Sequence, residues 1–329
     1  MVPLRKGRRL RRMVRLAHLE LLAAMQHAPT LSAAARAAGV AQPAASRLLR
    51  ELVEGTGIEF FEKFGRTLRP TPSGQLVLQS ASRLIADLDR LEEELEAVDK
   101  GLMGTVSLGA GVAPCFVLVP RAINLLAQNA PKIFVRLREG GMEEFTEKLR
   151  EGQIDLLIGR IENLGRYNDL VLEELYDPPM KIVCRPGHPL ARKRKVSLDE
   201  AINGNWLLPE SGTAMRRGVE GLFKTEKKWP VECLVESSSI QANVALLNAS
   251  DVVWILSADI AAYFEKLGQL NILPVPQLRG PGPVLLVSLK TRNVSAPVAR
   301  LRECLRTAAK DLAQRYRSST FIDKMNVGR

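Results

Sequence analysis

Apolar positions recur at helical spacing through the first fifty residues. Leu16, Leu19, Leu22 and Met25, broadened by Leu21 and Ala23, predict a helix over 15–27 that Pro29 ends. Thr30 or Ser32 can cap a second, short helix over 33–38, whose small residues allow close packing. Gly39 stands where a tight turn needs positive φ. A third helix follows over 40–52, with Pro43 in its first turn and Leu48, Leu49 and Leu52 facing inward. Residues 58–71 predict two short strands around a Gly65-Arg66 turn. Beyond them, Val77, Ala81, Leu84, Leu88, Leu91, Leu95 and Val98 alternate at spacings of four and three, with acidic residues between. This narrow seam suits a helix that pairs with another helix; docking on its own domain would also satisfy it.

From residue 105 the pattern changes. Short apolar runs over 106–108, 133–137, 155–158, 181–184, 207–208, 233–235, 252–256, 271–275 and 284–289 read as strands. Helical segments such as 117–128 and 142–151 lie between most of them. Alternation of this kind predicts an α/β fold with largely parallel sheets, and such folds bind ligands at the carboxyl ends of strands. Proline-rich points at Pro178-Pro179 and Pro281-Gly282-Pro283 flank the central block. They divide the body into one lobe over 104–178 and 281–310 and a second over 179–280.

Charge sharpens the picture of the head. The chain carries a net +11, and residues 1–74 hold 13 Lys/Arg against 5 Asp/Glu, a net of +8. A basic head on a near-neutral body suits a polyanion partner, although six of those charges lie in the tail at 5–12. The segment after that tail is interrupted by His18 and Glu20, unlike an export signal, which predicts a cytoplasmic protein. No apolar run is long enough to span a membrane. Cys115, Cys184, Cys233 and Cys304 are scattered and read as small buried hydrophobes, with no metal set.

Helix, glycine turn, helix is the spacing of a helix-turn-helix, whose second helix enters the major groove. Gln42, Pro43, Ala44, Ala45, Ser46, Arg47 and Arg50 are its candidate DNA contacts, together with Ser32 at the start of the preceding helix. Gln pairs with adenine, Arg with guanine or phosphate, and alanine methyls with thymine methyls. Lys63, Arg66, Thr67 and Arg69 on the hairpin would touch the backbone or the minor groove as a wing.

Leu31-Ser32-Ala33-Ala34-Ala35, Gln42-Pro43-Ala44-Ala45-Ser46-Arg47, Phe60-Phe61-Glu62-Lys63 and Arg69-Pro70-Thr71-Pro72-Ser73-Gly74 resemble the N-terminus of LysR-type transcription regulators. Val53, Glu59, Lys63 and Phe64 depart from the usual residues. Gly152–Arg160, Glu173-Glu174-Leu175-Tyr176 and Gly187-His188-Pro189-Leu190-Ala191 resemble that family's sensor more loosely. The Ile158-Gly159-Arg160 ending is similar to the branch of galactose-binding-protein and protocatechuate-pathway regulators. The resemblance implies a winged helix-turn-helix over 1–74, a dimerising linker helix over 75–103, and a two-lobed effector domain like periplasmic binding proteins. It implies a homodimer or homotetramer on a double-stranded DNA operator. The effector does not follow from the resemblance; the polar helix starts of the body suit a small polar molecule, such as a sugar or organic acid.

Three strand-to-helix turns are candidate effector contacts. Gly111, Val112, Ala113 and Pro114 follow the first body strand. Thr213 and Arg216 open a later helix, and Ser238 sits in a serine run before another. Free N–H groups at helix starts favour anions and hydroxyls, and Arg160 can reach in from its strand end. The Gly109-Ala110-Gly111 run begins like a dinucleotide fingerprint, but Pro114 replaces the third glycine and no acidic residue follows at the right distance. No organic cofactor is expected. His18, His27 and His188 are the only histidines, and none stands in a nucleophile motif, so an enzyme is not expected.

Overall fold

The structure is a computed structural model. It describes residues 10–11, 13–64, 67–99, 103–161, 164–225, 233–276, 278–291 and 294–326. The chain forms two compact units, one of residues 1–105 with 144–155, the other of 106–143 with 156–329.

The first unit starts with α1 (Leu16–His27), α2 (Leu31–Ala37) and α3 (Gln42–Thr56). Thr30 caps α2 by accepting from the Ala33 amide at 3.2 Å. Gly39, at φ 67°, turns the chain into α3, and Gly57, at φ 65°, ends that helix. Leu21, Leu22, Ala34, Ala35, Ala45, Leu49, Leu52 and Phe60 form the core. Leu16, expected inside, is 51% exposed. It opens the helix off the buried stripe, which runs through His18, Leu21 and Leu22. Strands β1 (Phe61–Phe64) and β2 (Thr67–Pro70) pair antiparallel, Phe64 opposite Thr67. The 28-residue α4 (Pro72–Asp99) follows. Its N-terminal third packs on α1 through Leu78 and Ala81. Further on, Arg90 donates to the Asp155 carboxylate at 2.7 Å and to the Gly152 carbonyl at 3.1 Å.

His18 is buried in this core, its Nδ1 accepting from the Arg15 amide at 3.1 Å. Burial, helped by the Arg15 charge, holds its pKa below the ordinary 6.5 despite Glu51 beside it. An unfolded His18 therefore takes up a proton near pH 6.5 while the folded one stays neutral. In the interval below 6.5 the unfolded chain binds more protons, and stability falls as pH falls. The melting temperature of the head should be flat from pH 8 to 7 and decline below 6.5. His18→Gln should flatten that decline; an unchanged slope would assign it to other groups.

The second unit holds two five-stranded sheets. One has the order β4-β3-β5-β12-β6, from β3 (Gly104–Ala110), β4 (Ile133–Glu139), β5 (Leu156–Gly159), β6 (Leu170–Tyr176) and β12 (Val284–Leu289). The other has the order β11-β7-β10-β8-β9, from β7 (Met180–Cys184), β8 (Asn205–Leu208), β9 (Cys233–Glu236), β10 (Val252–Ser257) and β11 (Asn271–Ile272). The first sheet buries α6 (Leu118–Asn129) and α12 (Ala296–Asn326) through Leu118, Leu126, Leu301, Leu305 and Leu312. In the second, Trp206 meets Phe223 of α9 (Ala214–Thr225) edge to face at 5.1 Å.

The sheets are mixed rather than largely parallel. β3/β5, β8/β10 and β8/β9 are parallel, whereas β12 and β7 run antiparallel to the strands beside them. Each antiparallel strand is the first that the chain lays down on entering or re-entering a sheet. The sequence pattern does not predict strand β6 because Glu173 and Glu174 interrupt its apolar run; it is an edge strand, exposed at Val171 and Glu174. Strand β11 stops at Ile272, short of the expected 275, because Pro274 has no amide for a ladder.

The thiols are held protonated. Burial with Glu139 nearby pushes Cys115 up to about 12, and burial pushes Cys184 up to about 11. Cys304 is buried, but Cys233, expected inside, is exposed because its strand β9 lies at a sheet edge.

Candidate DNA-reading helix and effector cleft

The helical repeat divides α3 cleanly. Ala45, Leu49, Leu52 and Thr56 are buried, while Gln42, Pro43, Arg47 and Arg50 are exposed on the other side and Ala44 and Ser46 are half-buried. Ala45 is therefore a correction. It is fully buried one turn above Leu49, so its methyl packs against the core and cannot meet a base. Ser32 is exposed in the first turn of α2. On the hairpin Lys63, Thr67 and Arg69 are exposed, and the Thr67 hydroxyl donates to the Phe64 carbonyl at 2.9 Å. The Arg69 guanidinium lies 6.0 Å from the Phe64 ring centre. Arg66 and Gly65 lie outside the described residues.

Within the second unit, strand ends converge on a cleft of about 280 Å³. Gly111, Val112, Ala113 and Pro114 line it from β3 and the helix α5 (Val112–Phe116). Arg160 lines it from the end of β5, Thr213 from the start of α9, and Ser238 from the turn before α10 (Ile240–Ala249). Helix α5 has only five residues, so the dipole argument for that turn fails; the turn supplies shape and close approach. The Thr213 hydroxyl caps α9, accepting from the Arg216 amide at 3.2 Å and donating to the Glu210 carbonyl at 2.7 Å.

Arg216 does not line the cleft. Its guanidinium is buried beneath the wall, donating to Glu236 at 2.7 Å, the Pro209 carbonyl at 2.9 Å and Glu220 at 3.0 Å. Position three of α9 points it back toward β9 rather than into the opening. Glu236 is held below its ordinary pKa, chiefly by its hydrogen bond from Arg216. The arginine thus fixes the Pro209-Glu210 turn that forms part of the rim.

Among the lining residues not expected from the sequence, two are buried and polar. Ser257 ends β10 with its side chain wholly buried, and Asn243 lies 1% exposed on α10. The signals existed: Ser257 is a polar strand end like the others, and Asn243 follows Ile240 at i+3 on an otherwise apolar face. Behind Arg160, Asp259 accepts from Tyr176 at 2.7 Å and also from Tyr316. Burial raises the pKa of Asp259 and lowers that of Arg160. His188 is a turn residue as expected, its Nδ1 accepting from the Leu190 amide at 3.1 Å.

Residues 16–75 match a family profile described as the bacterial regulatory helix-turn-helix protein, lysR family, and residues 99–310 match the LysR substrate binding domain. The chain belongs to the LysR family. It is a DNA-binding transcription regulator with an effector-binding domain, and not an enzyme. It is 30% identical over 303 residues to the HTH-type transcriptional regulator GbpR of Azospirillum brasilense, covering 92% of this chain and 88% of that one. It is 25% identical over 299 residues to PcaQ of Agrobacterium fabrum, covering 91% and 96%. In fold it is similar to CbnR, a LysR family transcriptional regulator, with TM-score 0.59 at 20% identity over 90% of this chain and 99% of that one. It is also similar to full-length BenM, with TM-score 0.52 at 24% identity over 89% and 96%. Among the described residues no helix is long and apolar enough to cross a membrane.

Proposed function

We propose that this LysR regulator works in the cytoplasm as a pair of chains joined along α4. Two copies of the exposed α3 face then read a dyad-symmetric operator, with Lys63, Arg66, Thr67 and Arg69 as wing contacts. A small polar effector, a sugar or an organic acid, enters the cleft between the two sheets and shifts the population between two assemblies. The reading divides the chain into a head over 1–74, a linker over 75–103, one lobe over 104–178 with 281–310, and a second over 179–280. Supporting that division, β6 ends in one sheet at Tyr176 and β7 begins in the other at Met180, and the return runs between Leu278 and Val284.

The observation that carries the pairing is the stripe on α4. Val77 and Ala81, the first seam positions, pack into the head core, but Leu84, Leu88, Leu91, Leu95 and Val98 stay between 43% and 69% exposed. Five apolar side chains on one seam of a water-facing helix call for a partner. Leu88→Glu with Leu91→Glu would bury two carboxylates in that seam. Sedimentation of the full-length variant should show half the parental mass with the melting temperature of each chain preserved. A parental mass in the variant would place the pairing surface elsewhere.

A further inference from the structure

Among the described residues, six buried side-chain polar atoms find no hydrogen-bond partner, and three of them, Arg160 Nη2, Asn243 Oδ1 and Ser257 Oγ, belong to residues that line one cleft. Leaving such groups unpaired costs stability, about 1–3 kcal/mol for each buried group. Three such atoms on residues of one cleft suit a ligand that completes them. Their polarities specify that ligand. Arg160 already spends Nε on the Gly282 carbonyl at 2.8 Å, which fixes the guanidinium and leaves Nη2 for an acceptor. Asn243 directs its amide nitrogen to the Ser237 carbonyl at 3.4 Å, so its oxygen faces the remaining demand and needs a donor. The Ser257 hydroxyl can do either. Asp177 and Asp259 lie near enough to feel the Arg160 charge, but both Asp259 oxygens are occupied by Tyr176 and Tyr316.

Most of the rest of the lining is apolar, with Glu210, Thr213, Ser237 and Ser238 as the remaining polar residues. Val112, Met142, Met215, Trp254, Leu256 and Ile260 form the walls. A cleft of about 280 Å³ suits a small molecule. A hexose carries five hydroxyls and would press those that Thr213, Ser237 and Ser238 do not meet against the apolar walls unpaired.

We infer that the cleft selects a compact hydroxy acid: a carboxylate on Arg160, a hydroxyl donating to Asn243 and bonded to Ser257, and an apolar frame between them. This rests on the proposal that the cleft is the effector site, and it decides between the two ligand classes left open there. A carboxylate is preferred over a neutral acceptor because charge-assisted hydrogen bonds are about twice as strong. Glu210 is exposed at the rim, where water solvates it, and discourages a second carboxylate on that side.

The test is thermal shift and calorimetry on the full-length chain. The acid probes are 4-hydroxybenzoate, mandelate and 2-hydroxyisocaproate. The controls are their amides, the hydroxyl-free acids benzoate and phenylacetate, and D-galactose. At least one hydroxy acid should raise the melting temperature by about 2–5 °C at millimolar concentration. Its amide and its hydroxyl-free counterpart should each bind at least tenfold more weakly. Arg160→Gln, which keeps a donor for Gly282, should remove the shift, and Ser257→Ala should weaken binding at least fivefold. Without ligand, Ser257→Ala should melt at or above the parental temperature, because it deletes an unpaired buried hydroxyl. A lower melting point would show that the hydroxyl is already satisfied, and would overturn its assignment to the ligand.

If galactose or the amides match the acids, or none of the three acids binds, the hydroxy-acid assignment is overturned while the cleft stands. If an acid binds equally well to both variants, the ligand sits elsewhere, and the effector-site reading falls with it.

Discussion

Alanine at both Arg47 and Arg50 should weaken operator binding by about 2–4 kcal/mol, a loss of roughly 30- to 1000-fold. Both side chains are exposed on the face of α3 opposite the buried Ala45–Leu49–Leu52 stripe, so their removal leaves the core untouched. An arginine on a guanine edge accounts for about 1–3 kcal/mol and a phosphate contact for the remainder. The single variants separate the two. The base-reading arginine, when replaced, loses discrimination between operator and scrambled duplex. The phosphate-binding one weakens both equally and lowers the salt dependence by about one counterion. Gel shifts at two salt concentrations measure this, with the melting temperature as a check on folding. Unchanged affinity in the double variant would remove α3 from the interface.

Gly74→Ala should destabilise the head by about 3 kcal/mol or more, lowering its melting temperature by roughly 12–24 °C and removing DNA binding with it. A Cβ at residue 74 would lie 1.9 Å from the Phe60 carbonyl oxygen and 3.0 Å from its carbon. That carbonyl cannot retreat, because the Thr71 amide donates to it at 3.0 Å and the Thr71 hydroxyl at 3.2 Å. Phe60 itself is anchored in the core beside Leu52 and Leu78. The close approach joins the start of α4 to the chain entering the wing, so strain there spreads into both. Ser73→Ala, one residue earlier and exposed, is the control and should change the melting temperature by less than about 3 °C. Normal stability in the glycine variant would mean that α4 starts differently from the arrangement described.

The head was the most legible part of the chain because its determinants are local. Thr30, Gly39 and Pro43 each act on backbone within a few residues of themselves, and helix periodicity placed Leu49 and Leu52 inside. The same periodicity, carried one turn back, would have put Ala45 inside as well; its small size disguised it as a groove residue. Most of the body strands were also readable, since buried apolar runs such as Val252–Leu256 pack only inside a core, whereas β6 was hidden by its two glutamates. Their directions were not, because strand orientation depends on where the chain re-enters a sheet and no residue encodes that locally. Arg216 and Thr213 look alike in sequence as polar residues at a helix start. Only the packing of α9 against β9 decides that one is paired beneath the wall and the other caps the helix at its edge. The signals at Asn243 and Ser257 were too weak to single them out, for the complementary reason. A polar residue in an apolar segment is unremarkable until tertiary contacts show that nothing in the described chain satisfies it. What the sequence by itself determined was the family, the helix-turn-helix and the apolar stripe of α4, all set by local spacing. What the tertiary structure decided was which polar atoms remain unpaired and face a common space, because that depends on elements far apart in the chain.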